Sequence, residues 1–476
     1  MFTSSTFIGS LDVDNVTTSL LDEKSKLPLI ISPRFDDSLE FLCHWLVANR
    51  PWVEEQILNY GAVLIRGFQV NDAPEFERAI ESLQPCLSDS YRGTSPRSVF
   101  AGTKYTFSAA DAPVNYPIAQ HCEMSFLESP PKQLYFGCLQ ESKTGGGETA
   151  LCDFRSVAEQ LDGSLRKKFE SKKLQYRRRH YNEGEKWTTD VGSMLSWRQM
   201  FGTSDKSKVE ELCREEGAPQ PRWIGQNNDT FYQEWQDEPF VRHPVTNEVV
   251  WFNHLQVFHW STFPCELWYA FCRLHDARFL LRSIFFWVIS IIKYVFLGHR
   301  MALDLRFGDG TDISVSEANH VRKIIHKNMV FSSWQKGDIM CIDNFSVSHG
   351  RQPTYDLGRK ILVAWSTPIN KRSLQLPYIE EEDIAEEVGL TKESEDAMIF
   401  DDKLVPGAVI ATPDCTPVST LTRAESEDLR DSFALSMEME KIARNDSFVN
   451  ISSRGSIGFH KRNKSCPVQH MDELFA

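Results

Sequence analysis

A chain of 476 residues with 41% apolar and 25% charged side chains has ordinary globular composition. Collagen-like, wholly disordered and disulfide-framework proteins are thereby excluded, and at about 150 residues per domain the length allows two to three domains with a sizeable core. The formal charge of −14 gathers at one end: residues 380–476 hold 21 acidic and 10 basic side chains. No basic stripe points to nucleic acid.

The first residues, Met1-Phe2-Thr3-Ser4-Ser5, show no basic region followed by an apolar run, so no signal peptide is expected. Residues 1–50 read as an N-terminal segment, polar and then mixed, and 53–59 as the end of a helix. Tyr60-Gly61-Ala62-Val63-Leu64-Ile65-Arg66-Gly67-Phe68 is a short β-branched run between glycines, the mark of a buried strand. Further strands are expected at 132–139, 338–343 and 361–365, with helical patches at 157–169 and 314–326. Short strands, Gly/Pro turns and a few helices point to a β-sandwich or jelly roll with helical decoration. No repeat of 20–50 residues is visible.

The stretch 279–297, FLLRSIFFWVISIIKYVFL, is interrupted only by Arg282, Ser283, Ser290 and Lys293. Nineteen helical residues would reach about 28 Å, nearly a bilayer core. A membrane helix, a buried helix, a membrane-surface helix and an artefact of the gene model all fit this run. Residues 379–476 open on Glu380-Glu381-Glu382-Asp383 and read as an acidic, disordered tail with one weak helix near 421–444. The 11 cysteines are scattered without CxxC pairs, which suggests reduced thiols in a cytoplasmic setting.

Two elements carry chemistry. In Gln120-His121-Cys122-Glu123-Met124, a strand would point His121 and Glu123 to the same face, offering an imidazole and a carboxylate to one metal ion. Alone this is weak; His470-Met471-Asp472 is a chance match of the same kind. The second element is Asp343-Asn344-Phe345-Ser346-Val347-Ser348-His349-Gly350-Arg351, followed by Gly358-Arg359-Lys360-Ile361-Leu362-Val363. Two histidines and one carboxylate on one face of a metal form the facial triad of non-heme Fe(II) oxygenases. Its open positions can take a bidentate 2-oxo acid and dioxygen. A cation about ten residues beyond the second histidine could hold that acid's far carboxylate.

The chain here resembles the TauD/TfdA family, the taurine dioxygenase and clavaminate synthase-like Fe(II)/2-oxoglutarate dioxygenases. The likeness rests on NYGAVLIRGF, YRGTSPR, QHCEMSF, GGGETALCDFR, HPVTNEVVWFNH, WQKGDIMCIDNFSVSHGR and GRKILVAW, in that order, and is similar to the SyrP-type branch. It implies a double-stranded β-helix, or jelly roll, over 51–378, with an apolar helical insertion at about 265–300. It implies His121, Glu123 and His349 as ligands of Fe(II), and Thr149 with Arg359 or Lys360 at the 2-oxoglutarate carboxylate. Arg97 and Asn253 become candidates for the pocket of a small, polar, amino-acid-like substrate. Decarboxylation of 2-oxoglutarate would be coupled to hydroxylation or desaturation. The glutamate argues against halogenation, since related halogenases lack the carboxylate. The alternatives are an inactive jelly-roll binding module and a membrane-associated scaffold. A membrane span at 279–297 would part His121 from His349, so the segment is expected to pack on or project from the barrel, where a membrane surface is open to it. No GxSxG, GxxxxGK[ST] or GxGxxG motif supports a hydrolase or nucleotide site.

Overall fold

The computed structural model describes residues 13–371, apart from 22–23, 92, 94–96, 110–111, 182–195, 216–217 and 226. The acidic stretch 379–476 and its expected helix lie outside the described residues. Two antiparallel-rich sheets form the jelly roll. The larger has seven strands in the order Val16–Leu20, Leu29–Pro33, Ala62–Ile65, Ile339–Asp343, Gln133–Gln140, Lys360–Trp365 and Phe107–Ser108. The N-terminal segment therefore supplies one edge of the main sheet. The smaller sheet runs Val330–Ser332, Thr149–Asp153, Val347–Arg351, Ile118–His121.

The apolar runs are central strands because both of their faces are covered. Val63, Ile65, Cys341, Leu362 and Ala364 face the helices Leu39–Ala48, Arg50–Tyr60 and Ala73–Leu83. Their alternates Leu64, Phe136, Met340, Ile342 and Val363 meet Leu151 and Val347 of the smaller sheet in the barrel interior. The period of two along each strand thus feeds two cores at once.

Two expectations need correction. The helical patch at 157–169 is two helices, Phe154–Gln160 and Gly163–Lys172, parted where Asp162 caps the second by accepting from the amides of Ser164 and Leu165. A four-stranded sheet ordered Leu303–Phe307, Leu174–His180, Thr230–Asp237, Arg222–Ile224 was not anticipated. Its strand LQYRRRH alternates between buried and partly exposed positions, and its run of three arginines masks the pattern.

The apolar stretch forms the second arm of a helical hairpin. Thr262–Leu274 ends at His275 in the left-handed conformation, Asp276 caps the next helix, and Ala277–Ser290 runs on into a π-helical turn, Ile291–Phe296. The hairpin lies against the barrel, with Phe263 edge-on to Tyr116 at a centroid distance of 5.2 Å. The next strand, Leu303–Phe307, pairs with Leu174–His180 of the same body. Both flanks of the segment therefore stay on one side.

Candidate metal centre

His121 is the last residue of its strand, and His349 stands directly opposite it in the neighbouring one. The ring centroids are 4.3 Å apart. This approach depends on Gly350: a Cβ there would lie 2.7 Å from the Ile118 carbonyl oxygen and 2.8 Å from Gln120 Nε2. A register irregularity between His349 and Arg351 lies at the same spot.

Glu123 does not continue the strand, as the i, i+2 reading supposed. The strand ends at His121, and Glu123 sits in the following turn, where Met124 has a φ of +55°. Asn344 holds that turn. Its Oδ1 accepts from the Glu123 amide at 2.6 Å, and its Nδ2 donates to the carbonyls of Glu123 at 3.0 Å and Pro131 at 2.8 Å. Next to it, His243 Nε2 lies 2.8 Å from Asp343 Oδ2, a buried contact that fixes the start of the His349 segment.

The three side chains converge. Glu123 Oε2 lies 3.8 Å from His121 Nε2 and 3.6 Å from His349 Nε2, and the three ligand atoms fall within 4.8 Å of one another. His121 Nδ1 lies 2.9 Å from the Ala119 carbonyl, which can only accept, so this ring nitrogen carries the proton and Nε2 keeps its lone pair. Burial, reinforced by His349, pushes the His121 pKa down to about 4, which keeps the ring neutral at physiological pH. Burial pushes the Glu123 carboxyl up, but Arg97 and then the two histidines outweigh it and hold the group well below the usual carboxylate range. Two imidazoles and a carboxylate facing one point match the donor set of a facial Fe(II) site. His349 Nδ1 is buried without a hydrogen-bond partner among the described residues.

The other expected residues divide clearly. Arg97 joins the centre: it donates to Glu123 Oε2 at 3.0 Å and stacks on Tyr91 at 4.7 Å. Thr149 lies in the strand next to His349, opposite Arg351, and its Oγ1 accepts from Trp334 Nε1 at 3.2 Å. Arg359 Nε donates to the Gly147 carbonyl at 2.6 Å, and Gly147, at φ +75°, has no room for a Cβ beside the Arg359 side chain. Burial lowers the Arg359 pKa to about 10, which leaves the group charged at neutral pH. Lys360 is exposed at the first position of its strand. Asn253 is buried with its side chain bonded to backbone. Its amide donates to the Pro239 carbonyl at 2.8 Å and accepts from the Leu255 amide at 2.9 Å, bracing a loop.

Sequence reasoning missed four residues. Tyr91 donates to Glu123 Oε1 at 3.4 Å. Asn344 holds the Glu123 turn. Arg351 donates to the carbonyls of Ala112, Pro113 and Tyr116 and so fixes the approach to the His121 strand. His254 packs edge-on to His121 at 5.8 Å, with Nδ1 2.7 Å from Ser125 Oγ. All but Tyr91 and His254 were within or beside the second-histidine motif, while His254 adjoins the Asn253 that the sequence singled out.

Comparison with known proteins gives the family. The model of the family described as taurine catabolism dioxygenase TauD, TfdA family matches residues 27–365. The dapdiamide synthesis protein DdaC of Enterobacter agglomerans is 27% identical over 329 residues, which cover 68% of this chain and 88% of that protein. A clavaminate synthase-like protein of Arabidopsis thaliana is 24% identical over 362 residues, 72% of this chain and 94% of the other. Among solved structures, PvcB, an Fe, alpha-ketoglutarate dependent oxygenase from an isonitrile synthetic pathway, aligns with a TM-score of 0.42 and 12% identity, covering 78% of this chain and 98% of PvcB.

Proposed function

Because the chain belongs to the TauD, TfdA family and is a 2-oxoglutarate-dependent dioxygenase, we propose that it oxidises a C–H bond of a small, polar, amino-acid-like metabolite at the centre formed by His121, Glu123 and His349. The observation that carries this reading is the convergence of two imidazole Nε2 atoms on one carboxylate oxygen, at 3.6 and 3.8 Å, from adjacent strands and a braced turn.

Iron(II) with 2-oxoglutarate, when bound, supplies the oxidising chemistry: dioxygen is consumed, 2-oxoglutarate becomes succinate and carbon dioxide, and the substrate is hydroxylated or desaturated. The chain's own part is to bind and orient. His121, Glu123 and His349 would hold the metal, with the Ala119 carbonyl fixing the His121 tautomer and Asn344 fixing the Glu123 backbone. Arg359 and Thr149 would take the far carboxylate of 2-oxoglutarate; Arg359 suits this better than Lys360, which faces solvent. Arg97, the cation beside the ligands, would meet an anionic group of the substrate. Met124, Phe126 and Phe136 are buried around the site and exclude water.

The test is anaerobic titration of the protein with Fe(II) and 2-oxoglutarate. A weak visible charge-transfer band is expected in the wild type, absent in His121→Ala and weakened in Arg359→Ala. Succinate release from a panel of amino acids and their derivatives then tests the substrate class. A folded protein with no band would overturn the assignment of the centre. A band without succinate release from any amino-acid-like compound would overturn the substrate class alone.

A further inference from the structure

The helix Ala277–Ser290 with its π-helical extension to Phe296 is built inside out. Three of its polar members turn inward beside Phe279 and Trp287: Ser283 is buried and donates to the Pro264 carbonyl at 2.8 Å, and Ser290 and Lys293 are buried too. Leu281, Ile284, Phe285, Val288, Ile292 and Val295 recur every three to four residues and are all exposed, Leu281 by 67%. Phe296, at 78%, and Leu297 end the stripe. A soluble domain normally orients a surface helix the other way.

From this geometry we propose that the stripe seats the domain on an anionic lipid surface, with the helix lying in the plane of the bilayer. Three observations select lipid. The stripe offers side chains of carbon and hydrogen alone, whereas a protein interface carries roughly one hydrogen bond per 100–200 Å² and a polar rim. Residues 273–303 contain five basic side chains and one acidic in a chain of net charge −14, and Arg278, Arg282 and Arg300 remain once the buried Lys293 and Arg273, paired with Glu148, are set aside. Arg278 stands at the start of the helix and Arg300 four residues past its end, both exposed in surface ion pairs, with Asp276 and with Asp304, that an anionic headgroup can join, whereas self-pairing in either direction would set these basic side chains against one another. The helix does not cross the bilayer. Its inner face is packed on Thr262–Leu274, and both flanks return to the same body.

Flotation of the full chain with vesicles tests the proposal. Vesicles of phosphatidylcholine alone are compared with vesicles that also contain phosphatidylserine. The wild type is expected to float with the anionic vesicles and less with the neutral ones. Ile284→Glu and Val288→Glu, both at exposed positions, are expected to lower the bound fraction about tenfold, because a carboxylate must then enter hydrocarbon. Their unchanged Fe(II)/2-oxoglutarate spectrum would show an intact fold. Two results would overturn the proposal: no flotation with either vesicle, or equal flotation of wild type and variants. The first, joined to a dimer by light scattering that Ile284→Glu dissociates, would assign the face to a second copy. Joined instead to a cross-link between the stripe and residues 372–476, it would assign the face to the chain's own tail.

Discussion

The two sheets of the barrel use burial for different ends. In the seven-stranded sheet, Ala62–Ile65 and Ile339–Asp343 are buried at every position and almost wholly apolar, so each strand contributes transfer free energy on both faces. In the smaller sheet of the barrel, polar side chains are buried among the apolar ones: Gln120, Thr149, Ser348, His349 and Arg351 are all buried beside Leu151 and Val347. On the face away from the metal centre, Ser348 Oγ donates to Gln120 Oε1 at 2.7 Å, and Gln120 Nε2 donates to the Ala150 carbonyl at 3.0 Å. Such groups add little net stability, and their value is that they fix one arrangement. One sheet supplies the free energy of folding, and the other uses part of it to hold polar groups in place.

This division can be attacked from both sides. The largest effect is expected from His349→Ala, which removes a ligand: iron binding measured by anaerobic calorimetry should vanish, with the apo protein still folded. Leu64→Ala, fully buried in the seven-stranded sheet, should cost about 2–5 kcal/mol in urea denaturation, while the folded fraction binds iron normally. If Leu64→Ala instead weakened iron affinity as much as stability, the separation of roles would fail. Asn344→Ala should lower iron affinity roughly 10–100-fold, as loss of a residue that positions a ligand does, and Asn344→Asp should recover only part, since it restores the acceptor but not the two donated bonds.

A smaller effect concerns acid. Burial, followed by the charge of Arg322, pushes the His259 pKa down to about 3. The folded protein keeps this ring neutral while the unfolded chain protonates it near 6.5, so stability should fall as pH drops from about 6.5 to about 3. The fall should be shallower in His259→Gln, as followed by thermal denaturation across that range. The smallest effect is expected of Lys360→Ala, which should leave 2-oxoglutarate affinity within error of the wild type.

The same contrast explains what could be read in the sequence. Val63–Ile65 and Ile339–Ile342 were legible because a strand covered on both faces leaves an unbroken apolar run. Thr149–Asp153 and Val347–Arg351 left none and were legible only as motif. The candidate ligands stood out because a facial iron site calls for two histidines and a carboxylate. The turn that carries Glu123 did not, since it depends on Asn344, far away in the chain, and nothing local to Glu123 encodes that partner. Spacing put Arg359 first with Lys360 one residue out of register; in the structure the Arg359 side chain packs on Gly147 and Lys360 is exposed.

The direct register of His121 against His349 has a thermodynamic corollary. A metal that spans two strands so remote in sequence binds only where the seam between them is closed, so occupancy and closure are linked functions. Anything that opens the seam lowers iron affinity by the same free energy that iron contributes to keeping it shut. At a free iron concentration one hundred times the dissociation constant that contribution is about 2.7 kcal/mol. Iron supply would then govern how long each molecule survives as well as how fast it turns over. Under chelation, degradation should begin at this seam while the seven-stranded sheet is still intact.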